Sequence, residues 1–202
     1  MSDPLTVLGH TYGTDKAGSY TQHYHNLLKP YRETVKNVLE LGVYKGASLQ
    51  MWSKYFYMSN IHGVDINLDR VDPSLKENKK IFLYNHNATN KSLLGVIPKL
   101  NYDIILDDAG HRTSAQMQTL DMLIHLVTPR GFYIIEDMHT SFMEQFIDTP
   151  HTSYDVLRNW ETLGSKYLSK LTLDKLAQAT ITWIEETPPP PAGPCAMVIQ
   201  VN

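Results

Sequence analysis

Short, strongly apolar runs alternate along this chain with segments whose apolar residues recur every three or four positions. Val38-Leu39-Glu40-Leu41-Gly42-Val43 reads as a strand buried on both faces, and residues 61–66, 80–84, 102–106 and 132–135 repeat the pattern. Between these runs, Leu49, Trp52, Tyr55 and Phe56 sit at helical spacing. Leu93, Leu94, Ile97 and Leu100 mark a shorter helical face. Met117, Leu120, Leu123, Ile124 and Val127 mark a longer one, which is expected to stop at Thr128-Pro129-Arg130-Gly131. One further helix is expected over residues 154–171, with Val156, Leu157, Trp160, Leu163 and Tyr167 inward. Ahead of the first strand, Tyr20, Tyr24, Leu27, Leu28 and Tyr31 share one helix face.

Strands and helices alternating at this spacing imply βαβ units and a mainly parallel sheet with helices on both faces. Ligands of such sheets bind at the carboxyl ends of the strands. Two last strands, near 179–184 and 196–201, flank the run Pro188-Pro189-Pro190-Pro191 with Gly193 and Pro194 after it. That connection is too short for a crossover, so the pair should form an antiparallel hairpin at the sheet edge, joined by a stiff polyproline loop.

Composition narrows the class without naming the chemistry. With 202 residues the chain suits one domain, 1–202, with one core. A single cysteine, Cys195, excludes a disulfide framework and a cysteine-rich zinc site. A net charge of −3 argues against nucleic acid as a partner. No apolar run approaches the ~18–20 residues of a membrane span. The opening Met1-Ser2-Asp3-Pro4 lacks the basic and apolar parts of a signal peptide. The expectation is a soluble, cytoplasmic protein.

The chemistry is concentrated where the strands end. After the first strand, Gly42 and Gly46 allow a tight turn and close approach by a ligand, and Ser48 is placed to cap the next helix. The glycines are four apart, so this is not the dinucleotide fingerprint G-x-G-x-x-G. The second strand ends in Asp65, where an acid takes ribose hydroxyls or else caps a helix. The fourth strand ends in Asp107-Asp108-Ala109-Gly110-His111 and the fifth in Glu136-Asp137-Met138-His139. Neighbouring parallel strands bring these ends together, and four carboxylates at one rim repel unless a cation joins them. Oxygen donors favour Mg²⁺ or Mn²⁺. Capping by solvated acids is the plainer alternative. Imidazole titrates near neutrality, so His111 is the candidate general base and His139 its competitor.

Glu40-Leu41-Gly42 through Gly46-Ala47-Ser48 resembles the first motif of class I S-adenosylmethionine-dependent methyltransferases. Tyr12-Gly13-Thr14-Asp15-Lys16, followed by Tyr20-Thr21 and Tyr24, is similar to the opening signature of the metal-dependent macrolide sugar O-methyltransferases of mycinamicin and macrocin type. Asp107-Asp108-Ala109-Gly110-His111 resembles their Asp-Asp-Gly-Ser-His motif, and Glu136-Asp137-Met138-His139-Thr140-Ser141 their Glu-Asp-Leu-His-Thr-Ser motif. A similar domain occurs in glycan-building proteins of large viruses, with rhamnose as acceptor.

The resemblance implies a Rossmann-like, doubly wound, seven-stranded α/β sheet, with residues 1–35 as a helical segment over the cofactor site. It implies S-adenosylmethionine and Mg²⁺ as cofactors and a sugar or glycan hydroxyl as acceptor, and leaves a homo-oligomer open. Carried onto this sequence, Asp108, Glu136 and Asp137 become metal ligands, and His111 with Asp108 the catalytic pair. Tyr12, Thr14, Lys16, Glu40, Gly42, Tyr44, Gly46, Ser48, Asp65, Ile66, Asn87, Ala88 and Asp107 become the cofactor site. The adenine segment is the point of departure: an acidic stretch is usual there, and this chain has Asn85-His86-Asn87-Ala88-Thr89. Acceptor choice is expected in loops such as 141–154.

A methyltransferase of catechols or other small diols would use the same parts. A nicotinamide dehydrogenase would need the missing fingerprint, and a metal-dependent hydrolase would leave the Gly42/Gly46 turn without a purpose. A non-catalytic glycan-binding module would take sugar without consuming cofactor.

Overall fold

The structure, a computed structural model, describes residues 3–185 and 195–202. The proline run at 188–191, Gly193 and Pro194 lie outside the described residues. Seven strands form one sheet: β1 (Asn37–Leu41), β2 (Asn60–Asp65), β3 (Ile81–Asn85), β4 (Tyr102–Asp107), β5 (Val127–Glu136), β6 (Thr180–Ile184) and β7 (Ala196–Gln200), in the order β3-β2-β1-β4-β5-β7-β6. Strands β1 to β5 run parallel. β7 is antiparallel to β5, and β6 is antiparallel to β7 at the edge.

Helices α1 (Pro4–Tyr12), α2 (Ser19–Leu28), α3 (Ala47–Tyr55), α4 (Thr113–Leu123), α5 (Ser153–Arg158), α6 (Trp160–Leu163) and α7 (Lys170–Leu176) complete the layers. Alternation within the strands divides the core in two. Val38, Ile104, Leu106, Phe132, Ile134 and Val198 face Leu5, Tyr24, Leu28, Leu49, Trp52 and Phe56 from α1 to α3 and the residue after it. Leu39, Leu41, Ile105, Tyr133, Ile135 and Ile199 face Met117, Leu120, Leu123, Val156 and Leu157 on the other side. Both faces are covered, which is why the strands read as unbroken apolar runs. No helix of the described residues is long and apolar enough to cross a membrane.

Three local expectations are corrected. The stretch 154–171 is not one helix: Asn159 leaves helical geometry at φ −121°, ψ 38°, and α6 continues into a 3-10 turn at Gly164–Lys166. Ser169 then caps α7 by accepting the Thr172 N–H. Thr128-Pro129-Arg130-Gly131 lies inside β5 and does not stand before it. There the Arg130 N–H donates to the Val201 carbonyl at 2.6 Å, and the Val201 N–H to that of Gly131 at 3.0 Å. Ser48 does not cap α3, whose N-cap is Gly46 at φ 84°. A helix that the periodicity does not single out, α1, starts at a capped Asp3-Pro4 and ends at Gly13 in the left-handed region.

Candidate active site

Strand register assembles the site. Leu41 of β1 is level with Asp107 of β4, and Asp107 with Ile135 of β5. Gly42, Asp108 and Glu136 follow at the same rim. Gly42 takes φ 87°, and its N–H donates to the Val64 carbonyl at 2.8 Å. Asp65 Oδ2 accepts the N–H groups of Val43 and Tyr44 at 2.8 and 2.9 Å, and Oδ1 that of Asn67 at 2.8 Å. The tip of β2 therefore holds the turn that follows β1. Tyr44 and Ile66 stand at the lip, 58% and 71% exposed.

A cleft of about 880 Å³ opens over these turns. Of the residues expected from sequence, Tyr12, Thr14, Lys16, Gly42, Tyr44, Ser48, Asp65, Ile66, Asp108, His111 and Asp137 line it. Glu40, Gly46, Asn87, Ala88, Asp107 and Glu136 do not. Asn87 turns its Oδ1 to the Thr89 N–H at 3.0 Å, and Ala88 packs into the core. Gln50, Asn67, Arg70 and Asp72 also line the cleft and went unpredicted. They lie in α3 and in the turns after β2, where no sequence pattern distinguishes them from an ordinary polar surface.

The acids divide by environment. Asp107, 2% exposed, points away from the cleft and accepts hydroxyls from Thr119 and from Tyr133, the latter at 3.2 Å. Burial pushes its carboxyl up to about 6, against these hydrogen bonds. Glu40 is fully buried, and neither of its oxygens has a hydrogen-bond partner. Burial lifts it to about 7, with Lys16 opposing. Glu136 is also buried. Its Oε2 accepts from Lys16 Nζ at 2.6 Å and its Oε1 from the Tyr24 hydroxyl at 2.7 Å. Burial raises it to about 8, again against Lys16.

Asp108 Oδ2 lies 2.5 Å from the same Lys16 Nζ. Asp137, at φ 54°, has Oδ1 3.0 Å from the Tyr20 hydroxyl and Oδ2 3.6 Å from His111 Nε2. Tyr20 and Tyr24 thus brace the ends of β5. Their sequence signal was the four-residue spacing that puts both on one face of α2. His139, the competing base, has a buried Nδ1 without a hydrogen-bond partner and does not line the cleft.

Asp108, His111 and Asp137 each offer one ligand atom, all within 4.8 Å of one another. The two carboxylates at that separation fit a hard divalent ion, with the His111 imidazole standing beside them.

The fold and rim together define a Rossmann-like, doubly wound α/β domain with its ligand cleft at the carboxyl ends of the strands. MycE methyltransferase of the mycinamycin biosynthetic pathway, solved with Mg, S-adenosylhomocysteine and mycinamycin VI, superposes at a TM-score of 0.75 with 24% identity. That match covers 100% of this chain and 54% of MycE. The S-adenosylhomocysteine-bound methyltransferase PaMTH1 of Podospora anserina gives 0.61 at 17% identity, covering 100% of this chain and 89% of that one.

In sequence the chain resembles the macrolide and deoxysugar O-methyltransferases. Mycinamicin VI 2''-O-methyltransferase of Micromonospora griseorubida is 32% identical over 154 residues, 70% of this chain and 38% of the relative. Demethylmacrocin O-methyltransferase of Streptomyces fradiae is 30% identical over 154 residues, again 70% and 38%. A rhamnosyl tetracenomycin-C 2'-O-methyltransferase of Streptomyces olivaceus is 29% identical over 155 residues, 70% and 39%. The matched part of these relatives is thus under two-fifths of their length. No protein-family model matches the chain.

Proposed function

We propose that this chain is a cytoplasmic, metal-dependent O-methyltransferase that moves a methyl group from S-adenosylmethionine to a hydroxyl of a deoxysugar such as rhamnose, in a glycoside or glycan. The observation that carries this is the meeting of Asp108, His111 and Asp137 at the wall of the cleft formed by the turn after β1. The relatives named above act on sugar hydroxyls of macrolides and tetracenomycin, and MycE holds Mg with the demethylated cofactor.

S-adenosylmethionine, when bound, would supply an activated methyl group for the acceptor oxygen. Asp108 and Asp137 would hold a divalent ion, with the buried Glu136 behind them, and such an ion would make a neighbouring hydroxyl more acidic. The protein's task is then to orient the acceptor and take its proton. His111, at the cleft edge, is the base in this reading. Asp137 Oδ2, 3.6 Å from Nε2, orients the imidazole. Tyr12, Thr14 and Ser48 with the turn Gly42–Tyr44 form the wall for the cofactor, and Asp65 and Ile66 its nucleoside end.

The test is mass spectrometry of rhamnosides and other deoxysugar glycosides incubated with S-adenosylmethionine and Mg²⁺, with a catechol as control. One added methyl on a glycoside, lost on chelation, supports the reading. Methylation of the catechol alone would make it a small-phenol enzyme, and full turnover under chelator would remove the metal.

A further inference from the structure

The segment after β5 holds apolar side chains in the open beside the proposed base. It forms two 3-10 turns, Met138–Phe142 and Glu144–Phe146, on the way to α5. Polar groups fasten it along its length. The Thr140 hydroxyl donates to the His111 carbonyl at 3.2 Å, and Ser141 Oγ accepts the Tyr154 N–H at 3.1 Å. Asp148 Oδ1 accepts the Ser114 N–H at 3.1 Å. The segment is thus pinned against residues 111–114, where α4 begins.

Within it the Phe146 ring meets the His111 ring edge to face, with centroids 5.8 Å apart and planes at 81°. Ile147, between Phe146 and the anchored Asp148, is 45% exposed. Apolar side chains that are grouped, not scattered, mark binding surfaces. His111 and Asp137 line the cofactor cleft, and no residue from 138 to 148 does. His111 therefore stands between the cleft and this apolar shelf. An acceptor must bring its hydroxyl to His111 from a side that the cofactor leaves free. A deoxysugar carries a methyl where its parent sugar carries a hydroxymethyl. That methyl gains from apolar contact, whereas a hydroxyl in its place would give up its hydrogen bonds to water.

We infer that Phe146 and Ile147 are the residues that choose the sugar. With the reacting hydroxyl at His111, they receive the methyl end of a deoxysugar and disfavour its hydroxymethyl counterpart. This rests on the sugar methyltransferase reading above and assigns its acceptor specificity to a surface.

The test offers the full chain methyl α-L-rhamnoside or methyl α-L-mannoside, which differs only by a hydroxyl on that methyl, with S-adenosylmethionine and Mg²⁺. The parent should favour the rhamnoside in kcat/KM by about tenfold to a hundredfold. Phe146→Ala should raise the rhamnoside KM about tenfold, hold kcat within about threefold and abolish the preference. Phe146→Leu keeps an apolar side chain and should stay within about threefold of the parent preference. Binding is read apart from turnover by saturation-transfer NMR with S-adenosylhomocysteine present, irradiating the protein's aromatic protons. The rhamnoside methyl should receive the strongest transfer in the parent and lose it in Phe146→Leu. If Phe146→Ala does not fold, Ile147→Ser, at an exposed position, takes its place with the same loss of preference. An unaltered preference in the folded variant, a fall in kcat at unchanged KM, or equal use of both glycosides by the parent overturns the assignment. A parent that methylates neither glycoside removes the sugar reading and this inference with it.

Discussion

A Cβ on Gly42 would lie 2.1 Å from the carbonyl oxygen of Asp108. The turn after β1 and the acidic end of β4 are therefore packed backbone to backbone, and Gly42 also holds φ 87°. Gly42→Ala must shift one of them and strain the other. We expect a loss of about 2–4 kcal/mol in urea unfolding, combining the left-handed backbone cost with the displaced contact. Mn²⁺ binding should weaken in step, because Asp108 moves. A fully stable Gly42→Ala with unchanged Mn²⁺ binding would show that the contact can relax freely.

The Tyr24 hydroxyl is one of two groups satisfying the buried Glu136, the other being Lys16. Tyr24→Phe keeps the ring, which packs against Trp52 at 6.0 Å, and removes only the donor. Removing this donor from a buried carboxyl should cost about 1–3 kcal/mol by denaturant unfolding at pH 7. A change within error would mean that Glu136 finds another donor.

His62 is buried between Phe82, Tyr84 and Tyr102, with Nδ1 3.1 Å from the Tyr84 hydroxyl. Burial pushes its imidazole down to about 4. Between that pH and the ordinary value near 6.5, the unfolded chain binds a proton that the folded chain does not. Stability contributed here is fully present above about pH 6.5 and lost as the pH falls toward 4. Unfolding free energies across this window should fall by about 2 kcal/mol more for the parent than for His62→Phe. Parallel profiles would place a proton on His62 in the folded state.

The proposed roles of Asp108 and His111 separate in kinetics and binding. Asp108→Ala should abolish methyl transfer while S-adenosylhomocysteine still binds, measured by calorimetry, because the cleft wall is otherwise intact. His111→Ala should slow transfer by about 10²–10⁴-fold, the usual contribution of a general base. Its Mn²⁺ affinity should change far less. Equal loss of metal and rate in His111→Ala would make the imidazole a ligand.

The parallel strands were legible because both faces of the sheet are covered, so each strand is an uninterrupted apolar run with a polar residue at its carboxyl end. That same rule put Asp65, Asp108 and Asp137 at one rim. What stayed hidden depends on distant partners. Lys16, singled out by the opening signature, meets Asp108 and Glu136 across 92 and 120 positions, and nothing local in the sequence names those partners. The start of β5 was masked by Pro129 and Gly131, which read as a helix stop until pairing with Val201 makes them strand. The broken helices after Ser153 keep an apolar period across Asn159 and Gly164, because α5 and Trp160 of α6 pack on the same core.

The direct measurement is anomalous diffraction from crystals of this chain grown with Mn²⁺ and S-adenosylhomocysteine. The account predicts one Mn²⁺ peak about 2.1–2.3 Å from carboxylate oxygens of Asp108 and Asp137, facing the cofactor in the cleft. Cofactor density with no peak at those two side chains would contradict it.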